Sequence, residues 1–432
     1  MQFFNKHIIQ VKRGGIIVVI KKIRSFIYLI LQIPIYLISI PTVIIIRLIR
    51  PWFLIRWNEL HSARIGHFAT NTELYCCKRD ARINFPSQRY LDVFYLKKYV
   101  CNKQLEKMWR RSLIILPNWL LFPISKVNRF FNIFVPSGNY HEIEHDCNYD
   151  RDVHNLLERS QPHLSFTHDE EVEGKRMLTK FGMPRDAKFV CLNVRDSAYL
   201  SRHVKYENID RFQYHGYRDG DIDKFVLAAE ELANRGYYIF RMGVKVLKPL
   251  ISSNPKIIDY ANLKIRNDFM DIYLGAKCSF CISTASGFDE IPTIFRKPTI
   301  RIYTPLGDLT GSNRKDLLII KYHINNKNNK KLTISEIFLS NVALAYRTKE
   351  FEQNNITLKE NSPEEIKDIV IEMDERINGS WKETEEDLLL QKKFWSVFTE
   401  NMKKLNLPEP NQGEIRARFG AKYLRKNQYL IQ

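Results

Sequence analysis

The sequence predicts an α/β fold built on a parallel sheet over residues 189–301. Short apolar runs alternate there with segments of helical periodicity, and Asp221, Gly236 and Gly243 stand where such elements start or stop. Lys188–Val194 is apolar and reads as a buried strand. Asp221–Arg235 places apolar residues at 222, 225, 226, 229, 232 and 233, a helical spacing, with Asp221 as cap or first-turn acid and Gly236 as stop. Tyr237–Met242 is the next strand, ended by Gly243, and Ile257–Tyr260 a shorter third. Asp268–Ala276 reads as a short helix, Ser279–Ser283 as a strand, and Asp289–Phe295 as a helix holding Pro292 in its first turn. Pro298–Ile302 closes the series. This alternation implies right-handed crossovers.

Parallel sheets bind ligands outside the carboxyl ends of their strands. Arg195 and Asp196 follow the first strand, Arg241 and Gly243 end the second, and Asp259 and Tyr260 end the third. Ser283, Thr284, Ser286 and Gly287 follow the fourth and open a helix. Such a loop offers backbone N–H donors and a positive helix end to a phosphate. Arg195 and Arg241 supply forked donors for a diphosphate. Asp259 or Tyr260 could meet a nucleobase or ribose. The plainer alternatives are a surface charge at Arg241 and an ordinary helix cap at 284–287.

A chain of 432 residues suits two domains with appendages. Lys plus Arg is 67 against 48 Asp plus Glu, a formal charge of +19, which favours a polyanionic partner. The charge is concentrated: residues 1–60 hold nine Lys or Arg against Glu59, around very apolar sequence. That pattern points to anionic lipid. No base-stacking module accompanies it, so nucleic acid is not expected. Phe26–Ile46 has 21 residues and no charge, enough to cross a bilayer as one helix, which takes about 20. Pro34 and Pro41 and the basic flanks equally suit a kinked or re-entrant segment, and a buried core helix is the third reading. A signal peptide is not expected, since no small-residue cleavage motif follows. Leu113–Ile124, with Trp109 and Trp119 near basic residues, reads as a membrane-interface patch or as core. Seven cysteines, sparse and mostly in apolar runs, suit a reducing compartment, and Cys278-Ser-Phe-Cys281 reads as core thiols with no metal.

Before the sheet region, Arg64-Ile-Gly-His67 reads as a loop, with a helix starting at Asn71 or Thr72 and a strand at Asp92–Leu96. Gly66 permits close backbone approach to a ligand, and His67 suits a general base or a loop histidine without duty. Asn325–Lys331 reads as a mobile loop, Ser362 as the cap of a helix running to Ile377, and Thr384–Thr399 as a further helix.

The stretches R-I-G-H-F-A-T-N-T-E-L (64–74), C-L-N-V-R-D-S-A-Y-L (191–200), Y-R-D-G-D-I (217–222), R-M-G (241–243), I-I-D-Y-A (257–261), S-T-A-S-G-F (283–288) and R-A-R-F-G-A-K-Y-L-R-K-N (416–427) resemble a family of bacterial glycosyltransferases encoded among surface-polysaccharide genes. The resemblance covers roughly residues 57–432. It implies a GT-B-like fold of two Rossmann-like domains facing across a cleft, with a C-terminal helix, placed at 413–432, crossing back to the first. The domains are then a membrane-associated segment at 1–56, an acceptor domain at 57–175, a nucleotide-sugar domain at 176–335 and a helical region at 336–432. Asn193-Val-Arg195 partly resembles the H-x-R motif of fucosyltransferase-type enzymes, with Asn193 in place of His. The family implies no metal and no cofactor, and Asp219-Gly-Asp221 is read as capping. The implied reaction moves a sugar from a nucleotide-sugar donor to a lipid-linked or growing oligosaccharide acceptor at the cytoplasmic face of the bacterial inner membrane. His67 would be the base, with Glu73 or Asp196 as rivals. A nucleotide-sugar epimerase and a non-catalytic nucleotide-sugar or lipid-binding scaffold are the alternatives.

Overall fold

The computed structural model describes residues 33–143, 151–198, 213–302, 313–345, 347–404 and 414–432, with a few single positions besides. In chain order the elements used below begin with α1 (33–49), β1 (Leu54–Leu60), α2 (Ile65–Asp80), β2 (Tyr90–Leu96), α3 (Lys103–Ser112) and α4 (Asn118–Phe131). There follow α5 (His168–Lys180), β3 (Phe189–Asn193), α6 (Val226–Asn234), β4 (Tyr238–Arg241), β5 (Ile257–Ile258), α7 (Asp268–Lys277), β6 (Cys281–Ser283), α8 (Glu290–Ile294) and β7 (Thr299–Ile302). The chain closes with β8 (Leu317–Ile319), β9 (Tyr322–Asn325), β10 (Lys330–Lys331), α9 (Ile334–Leu339), α10 (Thr348–Gln353), β11 (Ile356–Lys359), α11 (Pro363–Ile377), α12 (Glu385–Lys404), β12 (Arg418–Phe419) and α13 (Ala421–Lys426).

The chain divides into two compact units, residues 1–60, 85–99 and 113–144 in one and residues 61–84, 100–112 and 145–432 in the other. This differs from the boundary expected near 175. The strands β1 and β2 belong to the first unit. The helix between them, α2, belongs to the second, where Gly66 lies against Gly287 and buried Glu73 pairs with Arg296.

In the first unit β1 and β2 pair in parallel from Leu54↔Tyr90 to Leu60↔Leu96, and single parallel bridges at Trp57↔Glu142 and Phe94↔Ile115 flank them. Arg56 grips Asp92 with two bonds of 2.8 and 2.7 Å across the pair. Val43 of α1 and Leu121, Ile124 and Val127 of α4 pack with Trp57, Val93 and Tyr95. Of the predicted apolar segment, Phe26–Gln32 lies outside the described residues. Among the described residues no helix is long and apolar enough to cross a membrane. Trp109 is core, its Nε1 donating to the Phe68 carbonyl at 3.0 Å, whereas Trp119 is exposed.

In the second unit seven parallel strands lie in the order β12-β8-β7-β6-β3-β4-β5. Val190 and Leu192 of β3 point into one core with α6 and α11, and Phe189 and Cys191 into another with α5 and α7. Helices therefore cover both faces, which is why the strands read as apolar without alternation. Asp221 caps a short 3-10 turn leading into α6, Asn267 caps α7, and Ser362 caps α11 in a full capping box with Glu365. Residues 325–331 form the turn and short strand of a hairpin, not a mobile loop, and β9 is central in a small antiparallel sheet with β10 and β11. The described cysteines are free thiols, and Cys147 lies outside the described residues.

The predicted crossing helix at 413–432 is not found. Residues 418–419 instead form β12 and extend the sheet beside β8. Phe419 exchanges bonds with the Gln391 side chain at 2.6 and 3.1 Å and packs on Phe394 at 3.9 Å between ring centroids. An extended backbone is needed for both contacts, so helix formation waits until Ala421.

Candidate functional site

The sheet order, with β12 set aside, is that of a doubly wound fold: from β3 the chain winds outward through β4 and β5, then returns to β6 on the other side and winds through β7 and β8. The crossovers part between β3 and β6, and the crevice at their carboxyl ends is the natural ligand position. It lies between residues 194–197 and 284–287.

The 284–287 loop is held from below. Asn193 Nδ2 donates to Ser286 Oγ at 2.5 Å, Arg195 N to Thr284 Oγ1 at 2.8 Å, and Thr284 N to the Asn193 carbonyl at 3.2 Å. Ser283 and Thr284 are fully buried, so their hydroxyls shape the loop. Ala285 sits at φ +54°, which side chains other than glycine rarely adopt. The N–H groups of Ala285, Ser286 and Gly287 donate to nothing among the described residues.

Against this loop lies the amino end of α2. The sequence placed that start at Asn71 or Thr72, but both are buried inside the helix, which begins at Ile65. Arg64 precedes it in an extended conformation without a side-chain cap, so no Ser, Asp or Asn announces the start. Gly66 and His67 therefore occupy the first turn of the helix, at its positive end. No acid occupies that turn. A Cβ on Gly66 would come 3.0 Å from Gly287 Cα, and one on Gly287 3.2 Å from Gly66 N. Two glycines 221 positions apart thus let two groups of backbone donors meet. His67 is half-buried beside them, with its ring centroid 5.8 Å from that of His61.

Across the ends of β3, β4 and β5 runs a charged row. Asp196 accepts from Ala198 N and Leu247 N at 2.9 and 2.8 Å. Arg195 Nη1 meets Asp219 at 2.5 Å; burial lowers the arginine's pKa and raises the aspartate's. Arg241, with only 1% of its side chain exposed, lies 3.8 Å from Asp196 and 3.5 Å from Asp259, yet its Nε and Nη1 have no hydrogen-bond acceptor among the described residues. Gly243 follows at φ +149°. Asp259 also accepts from Leu250 N and Asn262 Nδ2 at 3.0 and 2.7 Å.

Arg241 opens on a cavity of about 580 Å³ lined also by Asp196, Tyr217, Asp219, Lys321 and Phe351. Lys321 Nζ donates to the Tyr217 and Asp219 carbonyls at 3.0 and 2.7 Å, and burial lowers its pKa to about 8. Sequence reasoning missed this wall. Its only signal was Y-R-D-G-D-I at 217–222, read there as capping, a role Asp221 does fill.

Two predicted residues lie elsewhere. Tyr260 is in the core, its hydroxyl donating to Asp271 at 3.0 Å. Glu73 is buried against Arg296 Nη2 at 2.6 Å and His163 Nδ1 at 3.0 Å, with His163 Nε2 on Asp80 at 2.8 Å. Hydrogen bonds to Cys77, Glu73 and Asp80 raise the His163 pKa to about 10 despite burial. Glu73, Cys77 and His163 have metal-ligand spacing. However, Arg296 already neutralises Glu73 and reaches Cys77 Sγ at 3.8 Å, which opposes a second cation.

No protein-family profile and no curated protein matches this sequence. The solved structures similar to it include three transferases. A glycosyl transferase family 9 structure from Veillonella parvula DSM 2008 is 11% identical at a TM-score of 0.36, covering 59% of this chain and 80% of that one. The Escherichia coli ADP-heptose lipopolysaccharide heptosyltransferase II is 12% identical at 0.33, covering 58% and 85%. An Escherichia coli heptosyltransferase with ADP-2-deoxy-2-fluoro heptose is 11% identical at 0.30, covering 58% and 89%. Likeness at this level establishes no family, and the α/β architecture stands on the sheet itself.

Proposed function

We propose that this chain is a glycosyltransferase that takes a sugar from a nucleotide-sugar donor. One observation supports the reading above the rest: the backbone N–H groups of 285–287, which donate to nothing among the described residues, meet the first turn of α2 at the switch point of a doubly wound sheet. Such a seat fits a diphosphate, and a departing nucleoside diphosphate gathers the negative charge that fixed donors stabilise. Arg195 and Arg241 lie on the nucleotide side and need no metal to add positive charge. In this reading the adjoining cavity takes the nucleoside, with Asp219 accepting from ribose and Tyr217 and Phe351 beside the base. His67, in the first turn of α2, is the base that takes the acceptor's hydroxyl proton. The acceptor is a lipid-linked or growing oligosaccharide at the cytoplasmic face of the bacterial inner membrane, as the resemblance in 64–74 and 283–288 implies.

The test is a thermal-shift and calorimetric screen of nucleoside diphosphates and their sugars. At a hundred times its Kd, one should stabilise the protein by about 2.7 kcal/mol. Arg195→Ala should remove that shift. Failure of every nucleoside diphosphate to bind would overturn the reading.

A further inference from the structure

We infer that the first unit docks on an anionic bilayer surface through a face built from two separate segments, α1 and residues 119–135. The outer side of α1 is uninterrupted apolar surface: Ile33, Leu37, Ile38, Ile44, Ile45 and Leu48 are 46–67% exposed. The stripe from 33 to 48 extends roughly 22 Å at about 1.5 Å per residue. The other side, with Tyr36, Val43 and Ile46, packs on protein. A helix so held on one side is not surrounded by lipid.

The second segment adjoins it. Arg47, near the end of α1, donates to Asn128 Oδ1 at 3.0 Å and to Asn132 Oδ1 at 2.8 Å. Around those partners Trp119, Phe130, Ile133 and Phe134 are 56–74% exposed, and Trp52 just after α1 is 76% exposed. Large exposed aromatic and aliphatic side chains on two neighbouring elements form a patch that a solvated surface does not keep without a partner.

Charge selects the partner. The described part of this unit holds eight Lys and Arg residues against three acids. Those acids, Asp92, Glu59 and Glu142, are each paired, with Arg56, Lys97 and Arg129. Arg50 stacks over Tyr140 at 3.8 Å and Lys126 over Phe122 at 5.3 Å. Cations edging an apolar face, with aromatics among them, match the headgroup region of an anionic membrane.

Flotation of the full chain with vesicles of phosphatidylethanolamine and phosphatidylglycerol, against phosphatidylcholine alone, tests this. The decisive variant is Trp119→Glu/Ile133→Glu, which lies outside the apolar stretch 26–46. We expect at least a tenfold loss of partitioning to the anionic vesicles, a matching loss from Leu37→Glu/Ile44→Glu, and weaker binding at high salt. Brominated lipid should quench wild-type tryptophan emission more than that of Trp119→Phe. Unchanged far-ultraviolet circular dichroism and an unchanged nucleoside-diphosphate thermal shift show that the variants fold and separate this outcome from the proposed reaction. Undiminished partitioning by Trp119→Glu/Ile133→Glu would overturn the inference in favour of attachment by the N-terminal segment alone. So would a concentration-dependent dimer, seen by sedimentation, that this variant abolishes without any lipid quenching.

Discussion

Gly66→Ala probes the meeting of α2 with the 285–287 loop. The new Cβ would lie 3.0 Å from Gly287 Cα, 3.3 Å from its carbonyl oxygen and 3.4 Å from Glu290 Cγ. Carbon atoms rest about 3.5–4.0 Å apart, so the loop or helix end must retreat by about 0.5–1 Å. Overpacking of this kind costs about 1–3 kcal/mol. Alanine's higher helix propensity returns up to about 1 kcal/mol, so the melting temperature alone does not decide the matter. Affinity does. A hydrogen bond to a charged group contributes about 1.5–3 kcal/mol, and losing one donor of the cradle should weaken nucleoside-diphosphate binding about 10- to 100-fold. Isothermal titration of wild type and Gly66→Ala with the diphosphate found in the screen gives the ratio. Wild-type affinity in Gly66→Ala would refute the placement of the phosphate between these two backbones.

Glu73→Gln should destabilise the protein by about 3–5 kcal/mol, because it leaves Arg296 and His163 without their buried carboxylate, read from urea melts at pH 7. The His163 pKa is raised from its ordinary value to about 10, so its stabilisation is full below about pH 6.5 and is lost as pH rises through about 10. The gap between wild type and Glu73→Gln should therefore narrow in melts at pH 10.5. Gly174→Ala would push a methyl into the Tyr273 ring and should cost about 2–3 kcal/mol. Combining it with Tyr273→Ala should cost clearly less than the sum of the single changes, and strict additivity would show the ring is not the obstacle.

The β3–β7 region was legible because each strand is buried on both faces and several helices carry a cap or stop within their own sequence, as Asp221 and Gly236 do. Elsewhere local signals misled. Arg64 makes no capping bond, so the start of α2 was hidden, while Asn71 and Thr72 resemble caps but lie mid-helix. Glu73 looked like a free carboxylate because its partners stand 90 and 223 positions away. The cavity beside Arg241 joins 216–222 to 348–360, a pairing no local period records. A two-residue strand such as β12 has no period at all.

That strand sets the order in which the second unit can be finished. Ile319 and Arg418 are 99 positions apart, yet among the described residues β8 has no outer neighbour in its sheet except β12. At about 5–20 residues per second, a ribosome takes roughly 5–20 s to travel that distance. During this interval the nascent sheet presents an unpaired parallel edge to every other emerging chain. The edge is therefore protected only once β12 has emerged, and a nonsense codon anywhere between β8 and β12 would leave it permanently open.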